Sequence, residues 1–533
     1  MKKYLVILLL FSGLSAFAQE IPEEPPLSYR IADVSYTITG KTKEWALARE
    51  ISINKNRVFA EEKDLAKYLD ERRLQLHNER SIESADLRYE LLDPVDGIVG
   101  VNVFITIKDT FNFIVVPYPK YSSNSGLDFR FKLKDFNFFG TLQTLTADLT
   151  YLYDEDEKQG IGIGVDFDLP FNTPFFEFTW TNSYSLDYKF DDARNEPEFS
   201  LRTGFAINLP FESLSFRVTA TQGLTQEFDY AAAGDKLYAT ESASVSLPFK
   251  IAETENLSSV YMTPNIHVTY HWDRDGINHP DLLGPAVGPG ITISSSRVNW
   301  VGNFRDGVSL EIGQNFDYNF HPTIRNFTPL LWGDVKFFKA FKHIGFASHI
   351  YAFAYHKGTQ DIGGRLRGIR DDLSGDGEPD TTDTSMGVVL NLDLPFKVVQ
   401  THWSDWGKAV FHRDMPRFFN YLDFEFQVSP FIDLGFSRIP ASQVPDSDTD
   451  RARVFDYRDG WYAAGIEALV FPSSFRSITV RASLGFDLLV LTERIGEELN
   501  AEGVRRFVRD NFNRDIHRAR SLYELFIGIG LHY

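Results

Sequence analysis

From about Phe111 to the last residue the chain keeps returning to one pattern, apolar and polar residues in strict alternation. In Leu127-Asp128-Phe129-Arg130-Phe131-Lys132-Leu133-Lys134 every odd position is apolar and every even one charged. Successive side chains of a strand point to opposite faces, so such a segment has one face for an apolar medium and one for water. A soluble sandwich strand would carry the same pattern, and scale separates the two cases. Similar segments recur at 161–169, 175–188, 200–209, 213–220, 260–270, 308–316, 423–428 and 523–533. Many reach the length of about ten residues that a tilted strand needs to cross a bilayer. The connections alternate between tight proline-containing turns (Leu169-Pro170-Phe171, Leu209-Pro210-Phe211, Leu247-Pro248-Phe249) and longer polar loops at 154–160, 191–197 and 273–290. Short turns at one end and long loops at the other are the asymmetry of an outer-membrane barrel. The segments number about 18.

Residues 29–110 follow a different grammar. A strand-like stretch at 31–39 ends at Gly40, and 44–53 carries Trp45, Leu47, Ala48 and Ile51 at helical spacing. A second helical stripe at 61–77 is formed by Leu65, Tyr68, Leu69, Leu74 and Leu76. Residues 85–91 and 99–107, joined through Asp93-Pro94-Val95-Asp96-Gly97, read as a β-hairpin. The order is β-α-α-β-β, a small α+β domain. Residues 1–18 have the grammar of a secretory leader: Lys2 and Lys3, an apolar stretch from Tyr4 to Phe11, and the small-x-small site Ala16-Phe17-Ala18. The mature chain is expected to begin at Gln19, with 19–28 as a linker.

Composition narrows the function classes. There is no cysteine, which removes a lipoprotein anchor, disulfides and thiolate chemistry. The formal charge is −20, and losing Lys2 and Lys3 makes the mature chain more acidic still. Phosphate-backbone binding needs clustered positive charge, so nucleic acid is not an expected partner. Beyond the leader no apolar run is long enough for a membrane helix. Aromatic residues make up 15% of the chain, with 47 Phe and 23 Tyr, which favours a membrane barrel over a set of soluble domains. The histidines show no ligand spacing and no nucleophile–base pair is legible, so the chain is not expected to be an enzyme. Gly160, Gly162 and Gly164 precede no helix and fit lumen-facing small residues better than a dinucleotide cradle.

Three short motifs stand in this background: Gly364-Arg365-Leu366-Arg367-Gly368-Ile369, Pro430-Phe431-Ile432-Asp433-Leu434-Gly435 and Phe136-Asn137-Phe138-Phe139-Gly140-Thr141. The first resembles the (V/L)RG(F/Y/I) loop tip of the BamA/TamA outer-membrane assembly superfamily. The second resembles that family's FxDxG strand, and the third its N-(L/F)-x-G turn between the second and third barrel strands. The residues at 29–110 are similar to the POTRA domain that precedes the barrel there. The fold implied is a transmembrane antiparallel β-barrel of about 16 strands behind one POTRA-like domain, with the barrel at 111–533. Against 16, the surplus in the tally is assigned to one miscounted hairpin between Val260 and Phe341.

The resemblance implies that Arg367 enters the barrel and pairs with Asp433 on the inner wall. A guanidinium in a partly dry lumen needs a carboxylate, and its planar fork makes two charge-assisted bonds at once. Gly368 would permit the tight tip, while Phe431 and Gly435 complete the strand motif. Arg438 stands where the family has a tryptophan. The terminus resembles a β-signal, with Gly528, Leu531 and Tyr533 as its marks, Tyr533 replacing the commoner Phe. First and last strands (111–119 and 523–533) would meet at a weak seam, and Pro117 and Pro119 suit an edge because proline cannot donate to a ladder.

Just past the loop motif, Asp372, Ser374, Asp376, Glu378, Asp380 and Asp383 follow EF-hand-like oxygen spacing, so an extracellular Ca²⁺ loop stands beside a solvated turn cluster as its alternative. Residues 492–511 read as a helix in an outer loop. The function implied is assembly and insertion of other outer-membrane proteins, or translocation of substrates across the outer membrane. The alternatives are a dedicated two-partner secretion pore and a passive channel or surface-binding barrel. The expected partners are outer-membrane lipid, unfolded client proteins, and periplasmic accessory proteins that bind the POTRA-like domain by β-augmentation. The N-terminal domain and C-terminus would lie in the periplasm.

Overall fold

The computed structural model describes residues 27–530 except 80, 123–125, 154–158, 173–175, 191–195, 212–213, 255–257, 370–382, 413, 439–454, 475–478 and 513–521. Within it, residues 28–109 form a four-stranded sheet with helices packed on it. Its strands are β1 (Ser28–Thr39), β2 (Val58–Phe59), β3 (Ile82–Val95) and β4 (Ile98–Asp109), in the order β2-β1-β4-β3. β1 and β4 run parallel, the other pairs antiparallel. The two-residue β2 comes between the helices α1 (Glu44–Ile51) and α2 (Glu62–Asn78), a strand the β-α-α-β-β reading lacked. Two residues are too few to show a period. On β4 the alternation is complete: Val99, Val101, Val103, Ile105 and Ile107 are all buried beneath the helices. Leu47 and Ile51 from α1 and Leu65 and Leu69 from α2 meet them. Each such fully buried side chain contributes about 1.5–3 kcal/mol.

The remaining strands make one large antiparallel sheet. In chain order they are Phe113–Ser122, Gly126–Asp135, Leu145–Tyr153, Gln159–Asn172, Glu177–Lys189, Glu198–Phe211, Leu214–Gln226, Leu237–Ser246 continued by Phe249–Thr254, Ser258–Trp272, Ala286–Val301, Phe304–Asn319, Phe327–Ala340, Gly345–Tyr355, Met386–Asp393 continued by Phe396–Gln400, Phe424–Ser437, Trp461–Pro472, Val480–Asp487 and Tyr523–Ile529. Each pairs with the next, and the sheet curls until its last strand lies beside its first. Among the described residues this is 18 strands, not the 16 taken from the resemblance. The hairpin treated as surplus is real, because the four strands from Ser258 to Ala340 pair in continuous register. No helix among the described residues is long and apolar enough to cross a membrane.

The expected proline turns are also corrected. Pro170 and Pro210 lie within strand ends, paired with Thr179 and Ser215. Leu247-Pro248 is a break inside one strand, whose two halves both pair with Ser258–Trp272. Leu247 still donates its N–H to the Pro264 carbonyl at 3.0 Å, so the ladder loses only the donor that proline lacks.

The two faces of the sheet differ chemically. Along Phe424–Ser437, Glu425, Gln427, Ser429, Phe431, Asp433 and Ser437 are buried on the inner face, whereas Phe424, Phe426, Val428, Ile432, Leu434 and Phe436 point outward. The outer face leaves Ile432, Ile466, Leu331 and Ile350 exposed. Helices α4 (Leu488–Glu498) and α5 (Glu502–Asn511) occupy the loop read as a single helix. Asp487 starts α4 by accepting from the N–H groups of Leu489 and Val490.

The third motif sits where the small domain meets the sheet. Asn137 is fully buried, and its Nδ2 donates to Thr42 Oγ1 at 2.6 Å. Thr42 in turn donates to Asp109 Oδ1 at 2.7 Å, while Asp109 Oδ2 receives the N–H groups of Lys41 and Thr42. Gly140 has φ +75 and lies so close to the Lys41 carbonyl that a Cβ there would collide with backbone. Two more contacts hold the domain across this end of the sheet: Asn78 with Asn299 and the Trp300 N–H, and Thr110 with the Ser474 carbonyl. Gly140→Val is expected to loosen the domain without unfolding it. Limited proteolysis should then cut between the domain and the first strand faster than in the unaltered chain, with the sheet's heat-modifiable migration retained.

Candidate functional site

The loop between Gly345–Tyr355 and Met386–Asp393 leaves the sheet at the end opposite the small domain, and its described part folds back against the inner face. Asp361 shapes the turn by accepting from the N–H groups of Gly363 and Gly364 at 2.7 and 3.1 Å. Ile362, Leu366 and Ile369 then bury against Tyr351, Phe353, Val389, Trp461 and Ala463. The Arg365 guanidinium lies 3.6 Å from the centre of the Tyr351 ring. This apolar packing fixes the loop before its polar tip.

At the tip the Arg367 side chain is 7% exposed and carries a full set of acceptors. Nε donates to Asp433 Oδ2 at 2.9 Å and Nη2 to Asp433 Oδ1 at 2.7 Å, a planar fork on one carboxylate. Nη1 and Nη2 donate to the two oxygens of Asp393 at 2.8 and 3.1 Å. The Arg367 backbone N–H also donates to Asp433 Oδ2 at 2.9 Å. Beneath, the guanidinium carbon stands 3.7 Å from the centre of the Phe431 ring. Glu467 lies 3.6 Å from Nη1 and is shared with Arg481 at 3.4 Å. Arg481 stacks on Phe526 of the last strand. Two cations thus face three buried carboxylates on the inner wall.

Strand register explains the assembly. Asp393, Phe431, Gly465, Gly485 and Glu524 lie opposite one another in a row across five strands. The loop backbone presses into this row where it lacks side chains. A Cβ on Gly485 would meet the Arg367 carbonyl group and the Gly368 nitrogen, and one on Gly435 would meet Leu366. Gly368 itself has φ +90, and its N–H donates to Glu524 Oε2 at 2.9 Å. The loop therefore contacts the sheet from Asn391, which donates to the Arg365 carbonyl, to the last strand.

The structure brings together Arg367, Gly368, Phe431, Asp433 and Gly435. Asp393, Glu467, Arg481, Gly485 and Glu524 were not singled out in the sequence. Asp393 had a readable signal: with Asn391 it supplies the polar inner-face positions of the otherwise apolar run Met386–Asp393. Where the family's tryptophan would stand, Arg438 reaches Met386, and Trp461 on the next strand packs with Leu366 instead. Gly528 lies on the inner face opposite Arg481, whereas Leu531 and Tyr533 fall outside the described residues. So do Asp372, Ser374, Asp376, Glu378 and Asp380 of the calcium-like loop; Asp383 pairs with Asp361 in a two-residue ladder. Among the described residues no group of three or more His, Asp or Glu is placed to hold a metal.

No protein-family profile matches the chain, and no curated protein matches it. Solved structures do. CdiB from Acinetobacter baumannii aligns over 86% of this chain and 70% of its own, at 12% identity and TM-score 0.45. BamA from Haemophilus ducreyi lacking POTRA domains 1-3 aligns over 87% and 82%, at 12% identity and TM-score 0.33. CdiB from Escherichia coli aligns over 87% and 88%, at 8% identity and TM-score 0.36.

Removing one partner of a buried ion pair leaves the others unpaired, which costs about 3–5 kcal/mol. Arg367→Ala, stranding Asp393 and Asp433 together, is expected to lower the temperature at which the folded band is lost in semi-native electrophoresis. Arg367→Lys should lower it less, since an ammonium keeps the charge but cannot fork onto both carboxylates. A wild-type temperature for Arg367→Lys would remove the fork from the account.

Proposed function

We propose that this protein is an outer-membrane β-barrel that assembles or inserts other outer-membrane proteins or moves substrates across that membrane. The curled sheet closes as a barrel in the bilayer, where every backbone polar group needs a partner and an open edge has none. Its apolar outer residues face lipid, and its Glu, Gln, Asp and Arg residues line the inside. The leader at 1–18 routes the chain outward. Residues 29–110 act as a periplasmic POTRA-like domain, and the long-loop end faces the exterior.

The observation that carries this reading is the Arg367 tip bound to Asp433 and Asp393 inside the sheet. The described part of the loop is bound to the inner wall from Asn391 to Glu524. A buried ion cluster that packs in one arrangement gives a barrel that must rearrange around a client a discrete state to leave. A second reading is a secretion pore serving one dedicated exported protein, which the same locked loop would suit.

Depleting the protein from cells is expected to reduce the level and heat-modifiability of other outer-membrane barrels, with Arg367→Glu failing to restore them. Unchanged barrels together with loss of a single secreted protein would instead establish the pore reading. Unchanged barrels and unchanged secretion would defeat both.

A further inference from the structure

The turns at the small-domain end of the sheet are short except one. Between Gln400 and Phe424 the chain forms the helix α3 (Trp403–Phe411) and a 3₁₀ turn, Arg417–Leu422. Trp403, Trp406, Val410 and Phe411 follow i, i+3, i+7 and i+8, which places them on one side of the helix; Asp405 and Lys408 lie on the other. An amphipathic helix in water turns its apolar side inward. This one does the opposite: none of its residues is buried, and Val410 and Phe411 are 70% and 60% exposed.

The outward posture is built. The Trp403 N–H donates to Asp423 Oδ1 at 2.7 Å, tying the helix start to the returning strand. Thr401 and Phe424 exchange backbone and hydroxyl bonds at the neck. Met415 packs against Gly407, and Lys408 pairs with Asp414 at 2.7 Å. Met415 thus covers only the gap that Gly407 leaves on the apolar side, and the aromatic and valine side chains around it stay exposed. Phe418 and Tyr421 of the 3₁₀ turn are exposed too, as are Val398 and Val399 where the chain leaves the sheet. The outward residues Phe424 and Phe426 begin the next strand, so exposed apolar residues lead along the chain from the outer face of the sheet into the helix and back.

We propose that α3 is an interfacial membrane anchor, lying in the plane of the bilayer surface on the side of the small domain. Trp403, Trp406, Val410 and Phe411 enter the acyl boundary, and Lys408 and Asp405 stay at the headgroups. Tryptophan and tyrosine sit at that boundary because they join an apolar ring to a polar tip, and an exposed apolar stripe opposite charges is the form of a surface-lying helix. Lipid is the occupant because the stripe continues the face that the barrel reading places in hydrocarbon. The inference rests on that reading, and the test separates the two.

The absence of cysteine makes single-site labelling clean. Val410→Cys, Lys408→Cys and Ile432→Cys, each in the full chain and checked for heat-modifiable folding, are spin-labelled and reconstituted in vesicles of phosphatidylethanolamine and phosphatidylglycerol. Collision with oxygen relative to a water-soluble nickel chelate then reports lipid contact. The expected ratio at position 410 is several times that at 408 and close to that at 432. Water access at 410 equal to that at 408, with 432 still in lipid, overturns the anchor alone. Water access at 432 as well overturns the barrel reading. A label at 410 that is aqueous in these vesicles but immobilised in native membranes assigns the helix to a protein partner and overturns the lipid proposal.

Discussion

The loop end of the sheet depends on how the Arg367 charge is kept out of water. A guanidinium buried this far costs several kcal/mol unless its nitrogens find acceptors, and Asp433 and Asp393 supply one to each of the three from two adjacent strands. That requirement fixes the rest. The acceptors must stand at the correct register, and the wall beside them must lack side chains, which Gly435 and Gly485 provide. The loop must also arrive in one conformation, which Ile362 and Leu366 secure by packing against Trp461 and Val389. Losing any of these leaves the ion pair incomplete, so the loop and wall form one cooperative unit.

Part of that unit was legible in the chain and part was not. Arg367 and Asp433 could be read because each sits in a short pattern with a glycine beside it. Asp393 could be read as a polar inner-face position of an apolar run, but not as a partner of Arg367, which appears only when its strand is laid beside Phe424–Ser437. Glu467, Arg481 and Glu524 are hidden for the same reason. Cross-strand rows collect residues separated by tens of positions, and no local spacing encodes them. The same limit hid the work of Asn137 and Gly140, whose partners Thr42 and Lys41 lie about a hundred residues earlier.

Strand alternation told more than the resemblance did. The period-two segments gave about 18 strands, and it was the borrowed number, 16, that the pairing of Ser258–Trp272 through Phe327–Ala340 corrects. Proline misled in the other direction. Leu247-Pro248 looks like a turn because proline so often ends a strand, yet a strand needs its donors only at the positions that face the neighbouring strand's acceptors. A proline beside a surviving bond from Leu247 to Pro264 interrupts the ladder without reversing the chain.

The small domain meets the sheet at separated places, among them the turn at Asn137 and Gly140, the strand end at Asn299 and Trp300, and the return at Ser474. A packed body bridging strands so far apart in the sheet acts as a strut that resists their separation while the bonds hold. Two of these places flank the junction of first and last strands: Asn137 and Gly140 follow the second strand, Gly126–Asp135, and Ser474 follows Trp461–Pro472, two strands before the last. A pull on the domain is therefore shared by both sides of that junction and by Asn299 and Trp300 farther round the sheet.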